Sequence, residues 1–253
     1  MSRHLLVIGA QRSGTTWLAG VLDSHPEITQ SRPSRPEPKV FLDAERAARG
    51  REWYRDTYFA HVTDELLLLD KSTSYLEYPE AAARAVEVLG DPLAVAQLRD
   101  PVQRAVSHWA FSSDAGLEDR PLDEVLSANL EGPLPWDRER TSVSPYAYLE
   151  RGRYIDHLAA WHDRLGDDLV VVFLEEMRTD PAALRDLHVR LGVDPTDLPE
   201  PAETTVNQSE RAKPDLDPAL LAQLRHYYRE SDRALTDLLG RPLPWATADQ
   251  TRG

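Results

Sequence analysis

The chain has 253 residues, 41% hydrophobic and 28% charged, enough for one large domain or two small ones with a buried core. Its net charge of −14, from 29 basic and 43 acidic residues, argues against non-specific binding of nucleic acid or of an anionic membrane surface. The absence of cysteine excludes disulfides, thiolate zinc sites and a cysteine nucleophile. No apolar run approaches the ~20 residues of a bilayer span, and the apolar part of Met1–Gly9 is too short for a signal peptide. The expectation is a soluble cytoplasmic protein without a nucleic-acid partner or membrane insertion.

His4–Ile8 is a short apolar run ending at Gly9, the pattern of a buried strand. Thr16–Leu22 has helical spacing through Trp17, Leu18, Val21 and Leu22, and Asp23-Ser24-His25-Pro26 stops it. Arg32–Pro38 is a stiff, proline-rich loop. Leu66–Leu69 predicts a second strand that runs into Asp70-Lys71-Ser72. Pro79–Leu89 is an alanine-rich helix ended by Gly90, and Leu93–Leu98 is a third strand ending in Arg99-Asp100-Pro101. Pro101 opens a helix at its first turn, running to about Ser113. The stretch Asp114–Ser144, rich in Pro, Gly and acidic residues, reads as a lid or insertion over one end of the sheet. A helix over Tyr154–Leu165 precedes a strand at Leu169–Leu174. Helices follow near Pro181–Leu191, Pro218–Arg229 and Glu230–Leu239. Continuous apolar strands alternating with helices predict an α/β fold, a parallel sheet of the P-loop type with helices on both faces. One domain covers 1–253, with 246–253 as a tail.

Gly9-Ala10-Gln11-Arg12-Ser13-Gly14-Thr15-Thr16 follows the first strand and opens a helix. Such a loop turns backbone N–H groups toward a phosphate, and the helix N-terminus adds partial positive charge. A nucleoside triphosphate loop reads G-x-x-x-x-G-K-[ST]; here Thr15 stands at the lysine position, and the cation inside the loop is Arg12. Leu169–Leu174 runs into Glu175-Glu176 and offers no aspartate for Mg²⁺. A plain strand–helix turn without ligand is the bland alternative. The position after the first strand, the Thr-Thr pair and Arg12 together favour phosphate.

Gln11-Arg12-Ser13-Gly14-Thr15-Thr16-Trp17-Leu18 resembles the 5′-phosphosulfate loop, P-K-[SA]-G-T-T-x-L, of sulfotransferases that use 3′-phosphoadenosine-5′-phosphosulfate (PAPS). Arg12 takes the place of the usual lysine. Leu98-Arg99-Asp100-Pro101 followed by Ser107 resembles the family's 3′-phosphate motif, a strand, R-[DN]-P and then a helix serine. Asp70-Lys71-Ser72-Thr73-Ser74-Tyr75 resembles its E-K-[ST]-x-x-Y segment, and Gly152-Arg153-Tyr154 with Leu158 and Trp161 its G-x-Y-x-x-x-L-x-x-W helix. Val206–Pro214, with Arg211 and Lys213, resembles the late loop that wraps the nucleotide, and Tyr227–Gly240 its C-terminal helix. The likeness leans to the bacterial and carbohydrate (heparan N-sulfotransferase-like) branch.

The resemblance implies in-line transfer of a sulfuryl group from PAPS to a hydroxyl or amine of a small-molecule or sugar acceptor, with adenosine 3′,5′-bisphosphate (PAP) as product and no metal. It gives nucleotide-binding roles to Gln11, Arg12, Ser13, Gly14, Thr15, Thr16, Trp17, Arg99, Ser107, Arg211 and Lys213. Arg12 would stabilise the leaving 5′-phosphate; its fork binds two oxygens, but unlike lysine it does not give up a proton. Glu37-Pro38-Lys39-Val40-Phe41 resembles the K-E-x-x-[FY]-F segment that carries a catalytic glutamate, with Pro36 and Val40 departing from the pattern. Glu37 is therefore the candidate base, and His108, beside Ser107, is the rival or a structural side chain. Lys71 is placed near the sulfuryl group. Two other functions stay open: a P-loop nucleotide kinase, which would want lysine at position 15 and magnesium, and a non-catalytic nucleotide-binding protein on the same fold.

Overall fold

The computed structural model describes residues 2–137, 144–196 and 214–248. Arg211, Lys213, most of the late loop and residues 249–253 of the tail lie outside the described residues. In chain order the elements are β1 (Arg3–Gly9), α1 (Thr15–Asp23), β2 (Ile28–Gln30), α2 (Ala44–Ala47), α3 (Gly50–Tyr58), β3 (Leu67–Lys71), α4 (Pro79–Leu89), β4 (Leu93–Leu98), α5 (Pro101–Asp114), α6 (Leu122–Asn129), α7 (Tyr154–Leu165), β5 (Leu169–Phe173), α8 (Leu174–Thr179), α9 (Pro181–Leu191) and α10 (Pro218–Leu239). The chain divides into two compact units, Met1–Leu98 with His157–Val206, and Arg99–Asp156 with Asn207–Gly253.

The first unit holds a five-stranded sheet in the order β2-β3-β1-β4-β5. Every pairing is parallel, as strands separated by helical crossovers require. The two faces follow from the period of two along each strand. Leu5 and Val7 of β1, Leu67 and Leu69 of β3 and Val95 of β4 share a core with Leu18 and Leu22 of α1 and with Leu184, Leu187 and Leu191 of α9. On the other face the His4 ring lies 5.3 Å from Tyr54 of α3 and 5.7 Å from Phe59. Both faces are thus covered, and β1, β3, β4 and β5 are buried on both along almost their whole length.

The second unit packs α5, α6 and α10 around Val102, Val106, Trp109, Leu126, Leu224 and Tyr228. The expected insertion at Asp114–Ser144 contains α6, whose Leu122, Val125 and Leu126 are buried in that core. Among the described residues no helix is long and apolar enough to cross a membrane.

β1 and α1 each extend one residue beyond the expected bounds at both ends, and larger departures occur elsewhere. The run Leu66–Leu69 becomes Leu67–Lys71, because the ladder to β1 continues through Leu6↔Asp70 and Val7↔Lys71; Leu66 itself is exposed. Leu174 leaves the strand and starts α8. The two C-terminal helices are one, since nothing at Arg229-Glu230 interrupts the 22-residue helix.

Candidate active site

The loop after β1 is shaped by two glycines. A Cβ on Gly9 would come within 2.7 Å of Leu76 Cβ and 3.3 Å of the Thr73 carbonyl. Gly14 sits at φ +79, with a would-be Cβ 2.7 Å from Leu174 and 3.0 Å from Gln97 Nε2, so both conformation and space demand glycine. Arg12, at φ +67, shares the left-handed region with Gly14, a tight backbone course of the kind that can present amides to an anion. Gln97 of β4 holds the loop at both ends: its carbonyl accepts from Ala10 N at 2.8 Å, and its Nε2 donates to the Ser13 carbonyl at 2.5 Å.

At α1 the cap residue Gly14 offers no side-chain oxygen, and Leu18 N is the first amide to find an intrahelical acceptor, Gly14 O at 3.1 Å. The amides of the helix's first turn are therefore directed out of its end. Ser13 Oγ is buried and has no hydrogen-bond partner among the described residues. This donor set suits a phosphate or phosphosulfate. Of the residues expected to bind nucleotide, Ser13 and Thr15 are buried in this loop, and Gln11, Arg12, Gly14 and Thr16 are half-buried. Trp17 packs against the sheet core.

Glu37 lies beside this loop in the same unit. Lys71 Nζ donates to Glu37 Oε1 at 2.6 Å. Thr73 adds its amide at 3.3 Å to Oε2 and its hydroxyl at 3.2 Å to Oε1. One residue further along, Ser74 Oγ accepts from Gln11 Nε2 at 3.1 Å. The turn Ser72–Ser74 thus connects the carboxylate–ammonium pair to the loop.

Beneath the pair, Asp70 is fully buried and accepts hydroxyls from Tyr54 (2.7 Å), Tyr75 (3.0 Å) and Ser72 (2.7 Å). Burial pushes its carboxyl up to about 6, against the pull of these three donors. The phenols of Tyr54 and Tyr75 are pushed up, first by burial and then by the Asp70 charge.

In the second unit Arg99 is half-buried directly after β4, and its carbonyl accepts from Tyr154 Oη at 2.7 Å. Asp100 caps α5 by accepting from Val102 N at 2.9 Å. Its carboxylate also takes a two-pronged pair from Arg225 of α10, at 2.8 and 2.6 Å. Ser107 is buried on α5, and the buried His108 ring lies 4.6 Å from the Tyr148 ring.

Gln97 and Arg225 escaped the sequence reading. An amide inside the apolar run Leu93–Leu98 is a signal for the first; Arg225 has no local signal, because its partner is 125 residues away. Among the described residues no group of three or more His, Asp or Glu could hold a metal ion.

A family profile described as sulfotransferase domain matches residues 2–186. Over 271 residues the chain is 30% identical to the mouse bifunctional heparan sulfate N-deacetylase/N-sulfotransferase 3, covering 94% of this chain and 30% of that protein. The first curated relatives are matched over 24% and 23% of their length, so the chain spans less than a third of them. A solved sulfotransferase from Alicyclobacillus acidocaldarius superposes with a TM-score of 0.77 at 23% identity, over 96% of this chain and 98% of that one. A mouse sulfotransferase solved with PAP superposes with a TM-score of 0.52 at 17% identity, over 92% of this chain and 67% of that one. Phosphate loop, parallel sheet and profile agree: the chain belongs to the sulfotransferase domain family, enzymes that take their sulfuryl group from PAPS.

Proposed function

We propose that this chain transfers a sulfuryl group from PAPS to a hydroxyl or amine of a sugar or small-molecule acceptor, with Glu37 as the base. The observation that carries this is the Gln11–Ser74 bond, which ties the anion-accepting loop to the turn holding Glu37 and Lys71. The name of the mouse relative supports a sugar amine among the acceptors. The charge of −14 favours a neutral or short acceptor over a long polyanion.

The loop Gln11–Trp17 holds the 5′-phosphosulfate, and Arg12 balances the charge that grows on the 5′-phosphate. Arg99 and Ser107 take the 3′-phosphate, with Arg211 and Lys213 assigned to the nucleotide by their motif. The donor supplies an activated sulfur: the acceptor heteroatom bonds to it as the bond to the 5′-phosphate oxygen breaks. Glu37 takes the acceptor's proton. Lys71 and Thr73 hold the Glu37 carboxylate from one side, which fixes its direction before the acceptor arrives. Lys71 also brings a cation to the reacting centre. His108, packed on Tyr148, serves the helix and not the chemistry.

Glu37→Gln keeps the shape and removes the basicity. With ³⁵S-labelled PAPS and a glucosamine oligosaccharide as acceptor, kcat should fall by roughly 10²–10⁴-fold, with PAP affinity unchanged. Near-normal turnover in Glu37→Gln, beside an inactive His108→Ala that still binds PAP, would transfer the base role to His108.

A further inference from the structure

We propose that Asp70 is a positioning residue for the base: its buried carboxylate fixes the strap Glu37–Phe41 through two hydroxyl relays. The proposal rests on Glu37 acting as the base. Two of the three hydroxyls that donate to Asp70 also receive from the strap. Lys39 N donates to Ser72 Oγ at 2.9 Å, and Phe41 N donates to Tyr75 Oη at 3.4 Å.

A hydroxyl has a single hydrogen. With the carboxylate as its acceptor, that hydrogen is committed inward, and the lone pairs face the strap amides. The direction of both relays is thereby set, from strap amide to hydroxyl to Asp70. With an amide side chain in its place, the hydroxyls lose this constraint and compete as donors.

Lys39 needs such a hold. It is a non-glycine residue at φ +48, a conformation that persists only where its surroundings impose it. The Lys39 bend leads into the short 3₁₀ turn Val40–Leu42 and sets the course of the chain from Glu37. Lys71 and Thr73 hold the Glu37 carboxylate, while Asp70, through Ser72 and Tyr75, holds the strap backbone at Lys39 and Phe41, and Arg84 donates to the Phe41 and Leu42 carbonyls beyond them. No cation pairs with Asp70 among the described residues; the neighbouring Lys71 is engaged by Glu37. A buried carboxylate without a cation is costly, and an apolar side chain would fill the space more cheaply. What the carboxylate adds is the aim of two hydroxyls.

The test uses the full chain, ³⁵S-labelled PAPS, and transfer both to a glucosamine oligosaccharide and to water. Asp70→Asn should lower kcat by roughly 10- to 100-fold, the usual effect of a misplaced catalytic group, and leave PAP affinity unchanged. Amide hydrogen exchange should rise in residues 37–42 and stay unchanged in β1 and β4. In the Glu37→Gln background Asp70→Asn should have no further effect on kcat, because no base remains to misplace. Should Asp70→Asn fail to fold, Ser72→Ala removes the Lys39 relay, keeps the carboxylate and carries the same comparison. With Glu37→Gln slow, an equal loss from Asp70→Asn in both backgrounds, or unchanged strap exchange, overturns the Asp70 proposal alone. Full turnover in Glu37→Gln by itself overturns the base assignment, and this proposal with it.

Discussion

Asp70 and Arg12 show how much a single side chain's chemistry decides. Arg12 stays charged throughout and offers a fork of donors, so in the proposed reaction it would steady a leaving phosphate without supplying a proton. Asp70 carries a cost of burial. Its carboxyl is raised from 3.8 to about 6 by burial, so the folded chain holds that proton more firmly than the unfolded chain. The neutral form stabilises the fold below about pH 4, and this contribution is lost as pH rises through about 6. From pH 4 to 7 the wild type should lose ~2 kcal/mol relative to Asp70→Asn, read by urea denaturation at each pH. Comparison with the variant cancels Asp232, raised to about 7 by burial, and His4, lowered to about 4 by burial and then by Arg51 and Arg55. A pH-independent difference would mean that Asp70 titrates as an exposed carboxyl does.

Helix starts follow a repeated device. Asp100-Pro101, Asp180-Pro181 and Asp217-Pro218 open α5, α9 and α10, each aspartate accepting from a first-turn amide and each proline filling a position that needs no donor. The local code is why these helices were legible in the sequence, together with α4 and the apolar strands β1, β4 and β5. The three-residue β2, the one-turn α2 and the polar α3 carry too little periodicity to announce themselves. At the site, the loop Gln11–Trp17 was legible because glycine geometry is local; the Asp70 network was not, because Tyr54 and Tyr75 meet Asp70 only in the fold. Arg225 is the same kind of case. Arg225→Met leaves Asp100 buried without its cation, a loss of about 3–5 kcal/mol, seen as a lower melting temperature. PAP affinity should fall as well, because Arg99 directly precedes the helix start that this pair secures and Ser107 lies on the same helix. Wild-type stability in Arg225→Met would show that the Asp100 cap holds alone.

At the scale of the molecule, an acidic chain without cysteine or a P-loop lysine carries the loop Gln11–Trp17 in one strand–loop–helix, and the proposed function assigns to arginine and backbone amides the work that lysine and magnesium do in triphosphate enzymes. The proposed function calls for a nucleotide with separate 5′ and 3′ phosphates. Calorimetric titration in EDTA is the direct test, with PAP, adenosine 5′-phosphate and, in a parallel magnesium buffer, ATP. PAP should bind without metal, and tighter than adenosine 5′-phosphate by on the order of 2–3 kcal/mol, the contribution of a charge-assisted pair at Arg99. Equal affinity for PAP and adenosine 5′-phosphate, or tighter binding of ATP with magnesium, would contradict the assignment of this loop to PAPS.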